Sequence, residues 1–239
     1  MDWKGTRVTW LGHGTFYFRA PNGKTILLDP WLQNNPACPQ DLKRPPATDV
    51  MLITHGHFDH IGDAVSAAAQ ARPERVIGGF ELCSWLASKG VENTVAMNKG
   101  GTIDLDWAKI TMVHAAHSCG IQDGDAIIYG GDAAGYVIQF QDSVTVYAAG
   151  DTGVFGDMHL IGELYRPQAA LLPIGDLFTM GPREAAHAAR LSGVSTVIPA
   201  HFGTFPALTG TPADFRKELA AIGLEHVEVH VLKPGGTAS

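Results

Sequence analysis

The apolar positions of the chain fall into short runs separated by polar turns. The opening stretches, "RVTWLGH" and "TFYFRA", are rich in β-branched and aromatic residues and predict strands. Asn22-Gly23 then predicts a hairpin turn into a third strand, "KTILLDP", which Pro30 stops. Four prolines between Gln33 and Thr48 predict an irregular loop. "DVMLIT" is an unbroken apolar run, the pattern of a strand covered on both faces.

Beyond Ile61 the pattern changes. "IGDAVSAAAQAR" is helical in composition and ends before Pro73. "RVIGG" predicts a strand, and "FELCSWLASKG" a helix closed by Gly90. The middle, with "AKITMVHAAH", "AIIYGG", "YVIQF" and "SVTVYAAGD", is rich in strands. The last third alternates helices ("DMHLIGELYR", "PREAAHAARLSG", "PADFRKELAAIG") with strands ("AALLPIGD", "TVIPAH", "VEVHVLK"). Two sheets packed face to face, with helices outside, satisfy this order within one domain spanning residues 1–239. No internal repeat or linker stands out.

Composition narrows the function. Of 239 residues, 45% are hydrophobic and 17% charged, which suits a folded globular chain. A net charge of −7 and the lack of a Lys/Arg cluster argue against nucleic-acid binding. The three cysteines are far apart, with no CxxC spacing, which argues against a disulfide framework or a thiolate zinc site. The start of the chain has no signal-peptide pattern, and no apolar run approaches the roughly 18 residues of a membrane span. A cytoplasmic protein with no membrane association is expected.

The chemistry concentrates in "LITHGHFDHIGD", Leu52 to Asp63. His55, His57, Asp59 and His60 fall within six residues, directly after a buried strand. In an extended or turning loop, residues two apart point the same way, so His55 and His57 can aim at one point. Asp59 and His60 can aim at a neighbouring one. Imidazole and carboxylate are ligands for Zn²⁺ and similar ions. The alternative is a solvated polar turn, but clustered imidazoles depress one another's pKa with no structural return unless something binds them. His117, Asp151 and His201 each end an apolar strand as well. Polar residues in that position open onto one rim of a sheet.

"THGHFDHIGD", His117, "AAGDTG" and "IPAHFGTFP" together resemble the metallo-β-lactamase superfamily, and the motifs occur in order over most of the chain. "GHGTFYF", "TILLDPWL" and "PIGDLFTMGPREAA" look like a subgroup of metal-dependent hydrolases close to the ascorbate-6-phosphate lactonases. The resemblance implies a four-layer αββα sandwich, an α/β fold, with a dinuclear metal site at one edge. It implies that His55, His57 and His117 hold the first metal. Asp59, His60 and His201 would hold the second, with Asp151 bridging. Zn²⁺ is the first expectation, with Mn, Fe, Co or Ni as alternatives. In "HIGDA", Asp63 replaces the second glycine seen in many thiolester hydrolases of the superfamily, which weakens a glyoxalase-type reading.

The expected activity is metal-dependent hydrolysis of a small-molecule lactone or ester. A metal-bridging hydroxide would attack and Asp59 would carry its proton. A small-molecule phosphodiesterase is the alternative, and a non-hydrolytic diiron redox or metal-binding protein is another. A homo-oligomer is possible. Several other residues are candidates beside a bland reading. His13 either supports a ligand or is a partly buried histidine at a strand end. Thr179 either caps the next helix and frames an anion site or is an ordinary cap. Asp176 either orients a metal-bound histidine or ends its strand. His187 reads as a solvated or packing histidine, and His114 as inward-facing or buried. His159, His226 and His230 have no motif context. Cys119 has no identifiable activating cation.

Overall fold

The computed structural model describes all 239 residues. Strands β1 (Arg7–Gly12), β2 (Thr15–Arg19) and β3 (Thr25–Leu28) form an antiparallel meander. The chain then alternates β4 (Val50–Leu52), helices α1 (Phe58–Ile61) and α2 (Ala64–Ala71), β5 (Arg75–Gly79), α3 (Phe80–Ser88) and β6 (Thr94–Met97). The middle comprises β7 (Thr102–Asp104), β8 (Ala108–His114), the hairpin β9 (Gly120–Asp123) and β10 (Ala126–Tyr129), β11 (Ala134–Phe140) and β12 (Thr145–Ala148). Next come α4 (Met158–Tyr165), β13 (Ala169–Pro173), α5 (Pro182–Ser192) and β14 (Thr196–Ala200). Last are α6 (Pro212–Ala221), β15 (Glu228–Val229) and β16 (Thr237–Ala238).

Two seven-stranded sheets result, in the orders β16-β1-β2-β3-β4-β5-β6 and β15-β14-β13-β12-β11-β8-β7. Each is antiparallel on one side and parallel on the other. Between the sheets lies one apolar layer, with Phe16, Phe18, Ile26 and Leu52 from the first sheet and Ile110, Tyr136 and Ile138 from the second. Outside the first sheet, α2 and α3 bury Ala64, Ala67, Leu82 and Leu86. Outside the second, α4, α5 and α6 bury Met158, Ala185, Ala189, Phe215 and Leu219. This is the expected αββα sandwich. No helix is long and apolar enough to cross a membrane.

Three sequence expectations need correction. The His-rich segment is not wholly loop, because Phe58–Ile61 close one helical turn before α2. The final strand shrinks to Glu228–Val229, since "VEVHVLK" has only the short strand β14 beside it. His114 ends β8 exposed rather than inward-facing, packed edge-on against Phe155 at 4.8 Å. At this end of β8 only β11 lies alongside, so strand alternation no longer decides burial.

Candidate metal centre

Strands β1, β3, β4, β8, β12, β13 and β14 all end on one edge of the sandwich. The segments leaving them carry the site. His13 follows β1, Asp29 follows β3 and His55 lies three residues past β4. His57 precedes the α1 turn, which carries Asp59 and His60. His117 and Asp151 each lie three residues beyond a strand, and His201 one residue beyond β14. The backbone ties these segments together. Ala116 N–H donates to Thr152 Oγ1 (2.9 Å) and Gly153 N–H to Ala116 O (3.0 Å), which sets His117 beside Asp151. His201 N–H donates to His13 O (3.1 Å) across the two sheets. The Tyr136 hydroxyl donates to Ile53 O (2.7 Å) below the site.

His13, Asp29 and His201 hold φ values of +55°, +47° and +53°. Left-handed backbone in non-glycine residues costs about 1–3 kcal/mol each and collects at functional sites. Gly14 is required for a different reason: a Cβ there would run into the His60 ring.

Two donor sets meet at Asp151. In the first, His55 Nε2 and His117 Nε2 lie 3.1 and 3.2 Å from His57 Nδ1. One ring nitrogen carries a single hydrogen or a single lone pair, so His57 Nδ1 cannot bond fully to both neighbours. Nitrogens held at about 2.1 Å around one tetrahedral ion stand about 3.4 Å apart, close to the spacing found. Asp151 Oδ2 lies 3.9 Å from His55 Nε2 and 3.8 Å from His117 Nε2. In the second set, His60 Nε2 is 3.3 Å from Asp151 Oδ1. His201 Nε2 is 3.0 Å from Asp151 Oδ2 and 3.9 Å from Asp59 Oδ2. His60 Nε2 and both ring nitrogens of His201 are buried without a hydrogen bond. Such atoms are costly unless something coordinates them. These residues therefore fit a divalent cation.

The surrounding groups orient these donors. Asp29 Oδ2 accepts from His60 Nδ1–H (2.8 Å) and from the Thr54 hydroxyl (2.6 Å), while Asp29 Oδ1 accepts from Thr54 N–H (2.7 Å). Because Thr54 Oγ1 donates to Asp29, it accepts from His55 Nδ1–H at 2.9 Å. Both rings then turn an Nε2 lone pair toward Asp151, as in metal sites where a carboxylate fixes the histidine tautomer. His13 does the same for Asp59. Its Nε2 is 3.0 Å from Asp59 Oδ2, and its Nδ1 is 3.0 Å from Thr204 Oγ1. Asp63 Oδ2 accepts from Leu32 and Gln33 N–H, which gives this carboxylate a structural role in place of the second glycine.

Electrostatics agree with these roles. Burial pulls the His13 pKa down to about 4 against the pull of Asp59, so the ring is neutral at physiological pH. Its Nε2–H then donates to Asp59, and Nδ1 accepts from Thr204. Burial also lowers His55, His57 and His117, leaving lone pairs available. His60 is the exception: burial opposes a charge there, but Asp151 and Asp29 overcome it and raise that ring, so an ion binding at Nε2 would displace a proton. Burial works to raise Asp59, yet the His13 hydrogen bond and the field of His60 hold its carboxyl well below the usual range.

The seven residues singled out by sequence thus lie together. His13 joins them, fully buried rather than partly so. Asp29 and Thr54 were not singled out. The signal for Asp29 was present, since a carboxylate directly after a buried strand is the same pattern that marks Asp151. Other candidates lie apart. Asp176 is exposed and accepts from Leu177 N–H (2.7 Å) rather than from a histidine. Thr179 caps nothing: Gly181 is the N-cap of α5, and the Thr179 hydroxyl reaches Met180 O. His187 is half-buried against Arg190 (2.7 Å), and His159 faces Glu163. Cys119 is buried, with Sγ between Gly56 N and Gly130 O at 3.2 Å each, and burial pushes its pKa up to about 11.

An αββα sandwich with a histidine and carboxylate centre on one edge has the form of a metal-dependent enzyme. The profile of the beta-lactamase superfamily domain matches residues 24–202, and the chain belongs to that superfamily. It is 54% identical over its full length to a UPF0173 metal-dependent hydrolase of Koribacter versatilis, covering all of that protein as well. A UPF0173 metal-dependent hydrolase of Rubrobacter xylanophilus is 51% identical over 97% of this chain and 95% of its own. Among solved structures, the metallo-hydrolase Igni18 of Ignicoccus hospitalis superimposes with a TM-score of 0.85 at 35% identity. That match covers 98% of this chain and 97% of Igni18. The chain is a metal-dependent hydrolase.

Proposed function

We propose that the chain is a dinuclear hydrolase acting on a small-molecule lactone or ester. The observation that carries this reading is Asp151, which stands between two histidine sets, one of them with buried ring nitrogens that lack any other partner. His55, His57 and His117 would hold one ion, Asp59, His60 and His201 the other, and Asp151 would serve both. A site of only nitrogen and oxygen donors suits Zn²⁺ first, with Mn, Fe, Co or Ni as alternatives. Bound there, such ions supply a water activated near neutral pH and a Lewis acid for the developing oxyanion.

The chain's own groups do the rest. Asp29 and Thr54 hold the His60 and His55 lone pairs in place. His13 engages one oxygen of Asp59 and leaves the other to take a proton from the attacking water and return it to the leaving group. The lactone or ester preference rests on the lactonase-like motifs "GHGTFYF" and "TILLDPWL".

The test is metal content per chain by inductively coupled plasma mass spectrometry, followed by a substrate panel. Wild type is expected to hold close to two ions and His57→Ala close to one, with turnover of lactones or aryl esters. Absence of metal, with no uptake of added Zn²⁺ or Mn²⁺, overturns the reading. Turnover of bis-p-nitrophenyl phosphate alone replaces it with phosphodiester hydrolysis.

A further inference from the structure

The segments that leave the strands at the metal centre carry exposed apolar side chains and no lysine or arginine. Eleven large hydrophobic residues of the chain are exposed, and Phe58, Val154, Leu177 and Phe178 among them sit on the segments that follow β4, β12 and β13. Phe58 stands between His57 and Asp59 and is 58% exposed. From it an aromatic wall runs inward. Phe58 packs edge-on to Trp31 at 5.9 Å, Trp31 lies 5.9 Å from Phe205, and Phe205 meets His13 edge-on at 5.5 Å. The wall therefore begins at solvent and ends at the histidine that holds Asp59.

A second exposed apolar feature is the loop tip after β13. Leu177 and Phe178 are 65% and 59% exposed. Asp176 and Leu177 are successive left-handed residues, with φ of +70° and +58°. Fixed contacts hold this strained turn beside the ligands. Gly175 packs so closely on His201 O that no side chain fits there, and Met180 N–H donates to Thr152 O (3.1 Å), next to Asp151. Strained backbone that presents apolar side chains to water at a site rim has no return from folding.

Charge completes the picture. Residues 29–37, 53–63, 115–119, 149–157, 174–181 and 201–210 contain no lysine or arginine. The exposed charges they add are carboxylates, at Asp157 and Asp176. Lys99, near the end of β8, is held by Asp132 (3.2 Å) and His114 (3.2 Å). A phosphate or carboxylate on a substrate would find no cationic side chain in these segments and two anionic ones.

We infer that Phe58 and the Leu177–Phe178 tip form the two sides of an apolar substrate cleft. The substrate class is an uncharged ester or lactone with an apolar chain or ring beside the scissile carbonyl, and a substrate carrying phosphate or carboxylate is disfavoured. This deepens the ester-or-lactone reading above and rests on it, and it departs from the phosphate-bearing substrate that a resemblance to ascorbate-6-phosphate lactonases implies.

The test uses metal-loaded full-length protein and a ladder of linear alkyl hydroxamates, from acetohydroxamate to octanohydroxamate. These chelators are neutral in solution near pH 7, lose a proton on binding the metal, and read the wall without turnover. Affinity by calorimetry is expected to tighten about fourfold per added methylene until the chain leaves the cleft. The slope should flatten in Leu177→Ser/Phe178→Ser and in Phe58→Ser, with metal content and circular dichroism matching wild type. A hydroxamate ending in a carboxylate should bind at least tenfold more weakly than its neutral counterpart of equal length. A flat ladder in wild type, or a slope unchanged in both variants, overturns the apolar cleft. An equal affinity for the carboxylate-bearing chelator overturns the preference for uncharged substrates. Parallel assays with p-nitrophenyl esters separate the two readings. A sloped ladder with no ester turnover keeps the cleft and removes the ester-or-lactone assignment. Turnover with a flat ladder does the reverse. Absence of metal and of acetohydroxamate binding removes both.

Discussion

The two sheets share one plan and furnish the site differently. Each carries four parallel strands, β3–β6 in the first and β12–β15 in the second. The first sheet supplies four donors from residues 55–60, in one loop and one helical turn, with Asp29 behind them. The second supplies His117, Asp151 and His201, one from each of three separate strand ends. Donors packed into one turn are placed by local geometry. Donors spread over strand ends are placed only once the sheet exists. The dispersed set also includes the one carboxylate that faces both histidine sets.

The sharpest break of this comparison is Asp151→Asn. It should remove both ions and lower turnover by roughly 10²- to 10³-fold or more, a loss on the scale of a principal electrostatic contact. His57→Ala should cost one ion. If Asp151→Asn keeps two ions per chain, the dispersed half does not bridge the sets. Next is Asp29→Asn, which weakens the carboxylate that orients His60. Metal affinity should fall about 10- to 100-fold, as is usual for groups behind a ligand. Competition with a chelating dye reads this directly, and an unchanged affinity would detach Asp29 from the site.

A smaller effect concerns pH. In the metal-free protein His13 is held down to about 4 by burial, below its ordinary value near 6.5. Between those values the unfolded chain binds a proton there that the folded chain refuses. Folding stability from this group is therefore intact above 6.5 and falls as pH drops toward 4. Urea midpoints of metal-free protein should show this decline, with a shallower one in His13→Gln. Identical slopes would mean that His13 is not held neutral. The smallest effect lies at Cys119, where a thiol joins Gly56 of the first half to Gly130 of the second. Its pKa near 11 and its burial predict labelling by Ellman's reagent at least about 100-fold slower than a free thiol at pH 7.5. Rapid labelling would show that this seam opens.

Legibility follows the same division. The His55–His60 cluster was readable because its chemistry is contiguous. His117, Asp151 and His201 were readable because each ends an apolar run long enough to mark a strand. Asp29 obeys that rule too, yet "TILLDP" looks like an ordinary strand terminus until Thr54 and His60 close on it. The role of His13 depends on Asp59 and Thr204, 46 and 191 residues away, and no local pattern carries such contacts. Strands β7, β15 and β16 have two or three residues each and owe their existence to their neighbours. His114 departs from strand alternation because, at that end of β8, only β11 lies alongside.

The buried nitrogens of His60 and His201, and the left-handed turns at His13, Asp29 and His201, would make the site a weak point of the folded chain whenever no ion is bound. An ion at 100 times its dissociation constant would add about 2.7 kcal/mol to folding. Cells triage proteins by the fraction unfolded, and a difference of 1–2 kcal/mol changes abundance several-fold. Metal supply would then set how much of this protein survives as well as how fast it works. Growth under metal starvation should deplete the protein itself before any loss of its message.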